Sequence, residues 1–167
     1  MAGEVWWWRV HSGEAFRMKN LFDTTAVDEV KERIAQLEPH SQRLWGKMDP
    51  AQAVAHCSAS LELALGDRRP PQMLLGRIIG GIVKPMVLGN DAPMRRNSPT
   101  VKGLVVTDER DLGPERARLC GLIDRFAAAG PAGCTAHPHS FFGRLNPQEW
   151  AVLMYKHLDH HLRQFGV

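Results

Sequence analysis

Residues 146–166, NPQEWAVLMYKHLDHHLRQFG, carry the strongest helix signal in this sequence. Asn146 is a favourable N-cap, Pro147 suits the first helical position, and Glu149 completes a capping-box pattern. Apolar side chains then recur at helical spacing as far as Gln164, and a glycine follows the end. The segment therefore predicts an amphipathic helix with one buried face.

Three other segments carry helix start and stop signals. Residues 24–38 place apolar side chains near a 3.6-residue stripe and are followed by a proline. The second helix has Asp49 as its cap and Pro50 at its first position, and it extends to Leu65 before a glycine. The third main helix covers residues 114–129 and ends at a Gly-Pro pair. These helices predict an all-α fold, specifically a four-helix bundle.

The segment between the second and third main helices, residues 67–113, is harder to interpret. Residues 74–88 are apolar enough for a helix, but three glycines and a proline interrupt them. Residues 90–102 have the composition of a loop, and we expect residues 103–108 to be extended. This length predicts a long crossover between the second and third main helices.

The composition is that of an ordinary globular domain, with 44% apolar and 23% charged residues. The net charge is only +3 and the basic residues are scattered, which argues against nucleic-acid binding. Apolar runs are shorter than the ~20 residues that cross a bilayer, so we expect no membrane partner. The cysteines Cys57, Cys120 and Cys134 are too widely spaced for a disulfide framework and indicate a reduced, cytoplasmic compartment.

Residues 1–17, MAGEVWWWRVHSGEAFR, differ from the rest of the chain because three adjacent tryptophans occur without a helical or strand period. They do not read as a secretory signal, since the apolar run is short and flanked by charges. Met18 then opens a stretch typical of a natural start. We predict an atypical N-terminal extension, disordered or artificial, before a single domain at residues 18–167. The alternative is an aromatic arm that docks on a partner or on the bundle.

Two histidines are predicted on the buried face of the last helix. At about 100° per residue, His161 lies about 40° from His157, on the stripe of Trp150. His160 lies about 60° to the other side, toward polar residues. One turn, about 6 Å, separates His157 from His161, so both rings can approach one point, which is how helices offer imidazole pairs to metals. The pair His157 and His160, at i and i+3, is the alternative.

A third ligand must come from another helix, and His56 on the second helix is the best-placed candidate. Small neighbouring residues leave room around its imidazole. Neutral imidazole suits Zn, Ni, Cu and Fe, and three protein ligands would leave an open position, which is the catalytic pattern. The alternative is that all three histidines are ordinary hydrogen-bonded core residues, because HxxxH is a short pattern.

Five other residues were weighed as parts of the site. His137, in the loop before the last helix, can line the site mouth or act as a general base, or simply bond to backbone. We expect His139 to be exposed and Cys57 to be a small core residue. Glu62 and Asp159 are either acceptors that orient a ligand imidazole or surface carboxylates.

Gln164 shares the stripe of the last-helix histidines. It can bond to His161 or to a ligand, and simple packing at the edge of the core is equally compatible with its position.

Together, these motifs resemble the DinB/YfiT-like superfamily of four-helix-bundle proposed metalloenzymes. The family pattern is one histidine on the second helix and HxxxHxxQ on the last. Here AQAVAHCSASLELALG contains His56, and YKHLDHHLRQFG contains His157, His161 and Gln164. The stretches WGKM, AHC, NSPT at 97–100, FFGRL and KHLDHHLRQFG are similar to one uncharacterised subfamily. The loop HPHSFFG departs from that subfamily, which usually has HP, one aromatic residue and FG.

The resemblance covers residues 18–167 and implies a DinB-like fold, a divalent metal held by His56, His157 and His161, and a homodimer. It also implies thiol-dependent transferase or isomerase chemistry in some relatives. We therefore expect a cytoplasmic metal-dependent enzyme with Zn or Ni. It would perform group transfer with a low-molecular-weight thiol, isomerisation or hydrolysis on a small molecule. The alternatives are a non-catalytic metal- or ligand-binding bundle and a helical dimerisation module.

Overall fold

The structure is a computed structural model that describes residues 18–98 and 102–167. Over these ranges it contains five α-helices and two short 3₁₀ turns, and no β-strand. The all-α prediction is therefore confirmed. The helices are α1 (Thr24–Ala35), α2 (Pro50–Leu65), α3 (Leu74–Leu88), α4 (Leu112–Ala129) and α5 (Pro147–Gln164), and the 3₁₀ turns are Lys102–Leu104 and Gly130–Gly133.

Helices α2 and α5 begin where the capping signals predict. The Asp49 carboxylate accepts a hydrogen bond from the backbone N–H of Gln52, and the Asn146 side chain accepts one from Glu149, both at 2.8 Å. The Gln52 and Glu149 side chains bond back to the cap backbone, which completes both capping boxes. Gly66 ends α2 with φ of +83°, a conformation that favours glycine.

Other boundaries differ from the predictions by a few residues. Helix α1 ends at Ala35, although the buried Leu37 beyond it still contributes to the core. Helix α4 begins at Leu112, two residues before the predicted start, and Asp111 is its cap. Pro114 therefore lies inside the first turn, where a proline is tolerated. The expected extended segment 103–108 is wrong, since it starts inside a 3₁₀ turn and continues without regular structure.

Helix α2 lies at the centre of the packing. It contacts α4 on one side and α5 on another, and α1 packs across both α4 and α5. Almost all of α2 is buried, and its many alanine and serine residues allow its neighbours to approach closely. Leu61 and Cys57 are buried in the predicted stripe, as are Trp150 and Phe126 on the facing helices. A shared core between four helices results.

Helix α3 forms in spite of its three glycines, two of which are packing residues. Gly76 and Gly80 lie one turn apart and face the backbone of Phe141. A Cβ on Gly76 would lie 2.5 Å from the Phe141 carbonyl oxygen, and one on Gly80 would lie 2.1 Å from it. Only glycine permits such an approach. The sequence left a helix at residues 74–88 open, because glycine alone does not say what it packs against.

Two lysines hold α3 in place. The buried Lys156 of α5 donates hydrogen bonds to the carbonyl oxygens of Val87 (2.6 Å) and Asn90 (2.8 Å), at the carboxyl end of α3. Lys84 of α3 forms an ion pair of 2.8 Å with Glu149 of α5. Cations favour the C-terminus of a helix, so Lys156 suits this position.

Two expectations fall on residues that are not described. The N-terminal extension 1–17 lies outside the described ranges, and so do residues 99–100 of the NSPT stretch. Among the helices that are described, none has the length and apolar character needed to cross a membrane.

Candidate metal centre

Three histidines predicted from the sequence come together between α2 and α5. One ring nitrogen from each of His56, His157 and His161 lies within 4.8 Å of the other two. The Nε2 atoms of His56 and His157 are 3.0 Å apart, and the three ring centroids are 4.8 to 4.9 Å from one another. This group is close enough to hold one metal ion.

The meeting of these rings follows from the opposite directions of α2 and α5. The backbone N–H of Leu44, just before α2, bonds to the carbonyl of Gln164 at the end of α5 (2.7 Å). The start of α2 therefore lies beside the end of α5. His56, in the first half of α2, then lies level with the second half of α5, where one helical turn separates the two histidines.

The His56 ring is oriented by the crossover segment. Its Nδ1 lies 2.7 Å from the carbonyl oxygen of Leu104, in the 3₁₀ turn. Since a carbonyl only accepts, Nδ1 carries the hydrogen and Nε2 keeps its lone pair toward the other two rings. This is the outer-partner arrangement typical of metal-bound histidines. The sequence offered no signal for Leu104, because the contact uses a backbone carbonyl that any residue has.

The His161 ring is oriented by Gln164, which confirms one of the two interpretations of that residue. The Nδ1 of His161 lies 2.8 Å from Gln164 Oε1, and Gln164 Nε2 donates to the carbonyl of Trp45 at 2.9 Å. The Trp45 carbonyl fixes which end of the amide faces the ring, so Nδ1 of His161 is the donor. The Nε2 lone pair of His161 is left available.

His157 completes the group with its Nε2 atom near that of His56. Because the Nε2 of His56 presents a lone pair, a second lone pair at 3.0 Å would be repelled. Either a proton on His157 Nε2 or a cation between the two nitrogens removes that repulsion. The separation is therefore compatible with a shared metal ion and also with a direct hydrogen bond.

Burial keeps these imidazoles neutral. Desolvation, together with the neighbouring histidines, lowers the pKa of His157 well below its usual value and that of His161 to about 3. The pKa of His56 is also lowered, mainly by burial. Neutral imidazole is the form that binds metals, so the group is in its ligating state at neutral pH.

His160 is outside this group. Its ring lies beside Trp45, with centroids 5.7 Å apart, and it lines an open cleft of about 330 Å³. Met94, Arg96 and Arg163 also line the cleft, and the Arg96 guanidinium lies 4.2 Å from the centre of the Trp45 ring. Sequence reasoning missed this cleft because its residues come from three separate segments.

His137 is not brought to the three histidines. Its Nε2 lies 3.1 Å from the carbonyl oxygen of Pro70, and its backbone N–H bonds to the Thr135 hydroxyl at 3.0 Å. These contacts match the interpretation of a loop histidine that bonds to backbone.

The expectation that His139 is exposed is wrong. Its Nδ1 accepts hydrogen bonds from the backbone N–H groups of Phe141 and Phe142, both at 3.1 Å. Its ring stacks on Phe142 and meets Trp150 edge to face. Burial lowers the pKa of His139 to about 4. The turn at residues 139–143 folds the ring onto α5, which a loop composition does not reveal.

Glu62 and Asp159, the two carboxylates considered as acceptors for a histidine ring, form ion pairs with arginines instead. Glu62 pairs with Arg68 and Arg118, and Asp159 pairs with Arg33 (2.9 Å) and Arg163 (2.7 Å).

Cys57 is a buried core residue, as expected. Burial raises the pKa of its thiol, so it remains protonated.

A family model of proteins of unknown function, DUF1569, matches residues 17–166, and the chain belongs to this family. Neither a curated protein nor a solved structure matches the chain. The family description assigns no activity and no ligand. Function therefore has to follow from the geometry of the site.

Proposed function

We propose that this chain is a DinB-like four-helix bundle that binds one divalent transition metal through His56, His157 and His161. The observation that carries the proposal is the convergence of three imidazole nitrogens, from two helices, within 4.8 Å. The bundle would consist of α1, α2, α4 and α5, which share one core. Helix α3 would be an addition outside it.

The donor set fits such a metal. Two of the three rings have their Nδ1 atoms engaged by outer acceptors, Leu104 and Gln164, so their Nε2 atoms are free to ligate. Neutral nitrogen donors favour Zn or Ni over hard cations such as Mg and Ca. Three protein ligands leave one coordination position open, which is the catalytic pattern. A metal bound here would supply Lewis acidity, lowering the pKa of a water or thiol or polarising a carbonyl.

We further propose an enzyme of the cytoplasm that acts on a small molecule by group transfer, isomerisation or hydrolysis, with a low-molecular-weight thiol as a possible second substrate. The cleft lined by His160 supports this part, because its volume of about 330 Å³ lies within the range of small-molecule sites and the His160 ring centroid lies 5.0 Å from that of His161. His137 takes no part in the proposal, since it lies outside the group of three histidines and its Nε2 contacts the Pro70 carbonyl oxygen.

A non-catalytic metal-binding bundle is the second candidate. Within the described ranges, the hydrogen-bond partners of the three rings outside the group are the Leu104 carbonyl and the Gln164 amide. Neither group transfers protons near neutral pH. A site whose rings form no hydrogen bond to an acid or base outside the group suits storage or a structural ion as well as it suits a reaction.

The test of metal binding is elemental analysis of protein purified without a polyhistidine tag, followed by titration of metal-free protein with Zn, Ni, Mn and Fe. We expect about one metal per chain. The variants His157→Ala and His161→Ala should each lose tight binding, because two protein ligands retain a labile ion poorly. The matched control His160→Ala, on the same helix but outside the group, should keep it. Metal-free protein that binds none of these ions would overturn the proposal.

Gln164→Ala gives a finer test of the same site. Removing the acceptor for His161 Nδ1 should weaken metal affinity about 10- to 100-fold while leaving one metal per chain at saturation. Affinity unchanged in this variant would show that the Gln164 contact does not orient a ligand. A turnover screen of the metal-loaded protein, with and without added thiols, then separates the enzyme from the non-catalytic bundle.

A further inference from the structure

The cleft lined by His160 contains two arginine side chains and no acidic one. Arg96 and Arg163 both line it, and its lining residues, all within the described ranges, include neither aspartate nor glutamate. The carbonyl oxygen of Val167, which also lines the cleft, already accepts a hydrogen bond from Arg33 (2.9 Å). Because the charged side chains of the cleft are cations, it attracts anions.

Both guanidinium groups keep donors available for such an anion. Arg96 lies over the Trp45 ring, with its guanidinium carbon 4.2 Å from the ring centre, and it forms no ion pair with a described residue. Within the same ranges, the Arg163 side chain donates only from Nε, to Asp159 at 2.7 Å. Asp159 also pairs with Arg33, so this one carboxylate leaves a net positive charge. A guanidinium group can donate two parallel hydrogen bonds to a carboxylate or a phosphate.

His160 lies between the cleft and the metal centre. Its ring centroid is 5.7 Å from that of Trp45 and 5.0 Å from that of His161. His157 and His161, the two proposed ligands on α5, are themselves partly exposed. A molecule held in the cleft is therefore separated from the ligand rings by about the width of one side chain.

The backbone of Trp45 attaches the cleft to the end of α5. Gln164 Nε2 donates to the Trp45 carbonyl at 2.9 Å, and the backbone N–H of Leu44 donates to the Gln164 carbonyl at 2.7 Å. Gly46 has φ of +77°, and a Cβ there would lie 2.6 Å from Gln164 Nε2, so this turn requires glycine. The same glutamine orients the His161 ring. One side chain thus holds both a wall of the cleft and a proposed metal ligand.

We propose that the cleft binds an anionic group of the substrate, a carboxylate or a phosphate ester, through Arg96 and Arg163. The assignment of this ligand as a substrate rests on the proposed metal-dependent function. The charged group contacts the two guanidinium groups, and the rest of the molecule extends past His160 toward the metal. Pro93 and Met94 supply an apolar surface for its uncharged part.

Isothermal titration calorimetry with phenylacetate, phenyl phosphate and the neutral analogue phenylacetamide tests the preference for charge. The full-length protein, both metal-loaded and metal-free, should bind the anions at least about 10-fold more tightly than the amide. The anion that binds more tightly identifies the charged group of the substrate. Arg96→Gln should remove most of the preference while the helical circular dichroism stays unchanged. The matched control Arg95→Gln, at the adjacent arginine that does not line the cleft, should keep it.

The outcomes separate this inference from the proposed function. Equal affinity for phenylacetate and phenylacetamide, or a preference that survives Arg96→Gln, would overturn the anion site while leaving metal binding intact. Anion binding that requires the metal and is unchanged in Arg96→Gln would place the anion on the metal and would also overturn the site. Protein that takes up no metal but prefers the anions would instead overturn the proposed function, because the metal-free chain retains the cleft.

Discussion

Helices α5 and α3 are both rich in apolar residues, yet they bury opposite kinds of face. Helix α5 begins with a capping box and turns its largest side chains, such as Trp150 and Leu158, into the core. Helix α3 begins after Met73 with no side-chain cap, buries Gly76 and Gly80, and turns its large side chains outward.

The comparison shows that apolar periodicity does not say what a helix face contacts. In α5 the apolar stripe packs against other helices of the same chain, and this brings His157 and His161 close to His56 of α2. In α3 the closest contact is made by glycines, because a backbone-to-backbone approach excludes every larger residue. The large apolar side chains of α3 are then left exposed.

Acid is expected to destabilise the contact between α2 and α5 more than any single substitution. Burial lowers the pKa of His161 to about 3 and that of His139 to about 4, whereas the unfolded chain titrates near 6.5. Below pH 6.5 the unfolded state therefore binds more protons, and the free energy of unfolding falls as pH decreases toward 4. The slope is up to about 1.4 kcal/mol per pH unit for each such histidine.

Urea unfolding of metal-free protein at several pH values measures this loss. His40→Ala, at an exposed histidine before α2, should show the same loss as the unchanged chain. A free energy of unfolding that stays constant between pH 7 and pH 4.5 would contradict the assignment of neutral, buried imidazoles.

The buried and exposed stripes should respond very differently to truncation. Leu61→Ala removes a fully buried side chain from α2 and should cost about 2–5 kcal/mol. Ile78→Ala removes an exposed side chain from α3 and should change the stability of dilute protein by less than about 0.5 kcal/mol. Denaturant unfolding of both variants gives the two values. Equal losses would mean that the exposed apolar face of α3 is covered within the chain.

The sequence was sufficient for the all-α class, for the caps at Asp49 and Asn146 and for the group of three histidines. Each of these depends on local rules, namely capping chemistry and angular spacing on one helix. His56 required one further step, the expectation that two amphipathic helices pack through their apolar faces.

The rest could not be predicted because it depends on contacts between distant backbone groups. The acceptors that orient the His56 and His161 rings are the carbonyl of Leu104 and, through Gln164, that of Trp45, and a carbonyl has no sequence signature. The packing of α3 and the burial of the His139 ring likewise depend on the turn at residues 139–143. That turn carries no periodic pattern.

The two adjacent glycines of α3 offer a sharper contrast on the same helix. A Cβ on Gly80 would lie 2.1 Å from the Phe141 carbonyl oxygen, whereas one on Gly81 would meet open space. Gly80→Ala should therefore cost a net of about 1–2 kcal/mol, as overpacking outweighs the better helix propensity of alanine. Gly81→Ala should stabilise dilute protein by up to about 1 kcal/mol. If thermal unfolding ranks the two variants in the opposite order, Gly81 and not Gly80 would face Phe141.

The smallest expected effect concerns Glu149, which belongs to both helices under comparison. One carboxylate oxygen accepts from the Asn146 backbone in the cap of α5 (2.8 Å), and the other pairs with Lys84 of α3 (2.8 Å). Glu149→Gln keeps an acceptor for the cap and removes the ion pair. Because both side chains are about a quarter exposed, the loss should be below about 1 kcal/mol and should shrink at high salt. A double-mutant cycle with Lys84→Met isolates the coupling between the two residues. A coupling that is large and independent of salt would mean that α3 is joined to α5 chiefly by this pair. The glycine contacts with Phe141 would then be secondary, and Gly80→Ala would lose its expected effect.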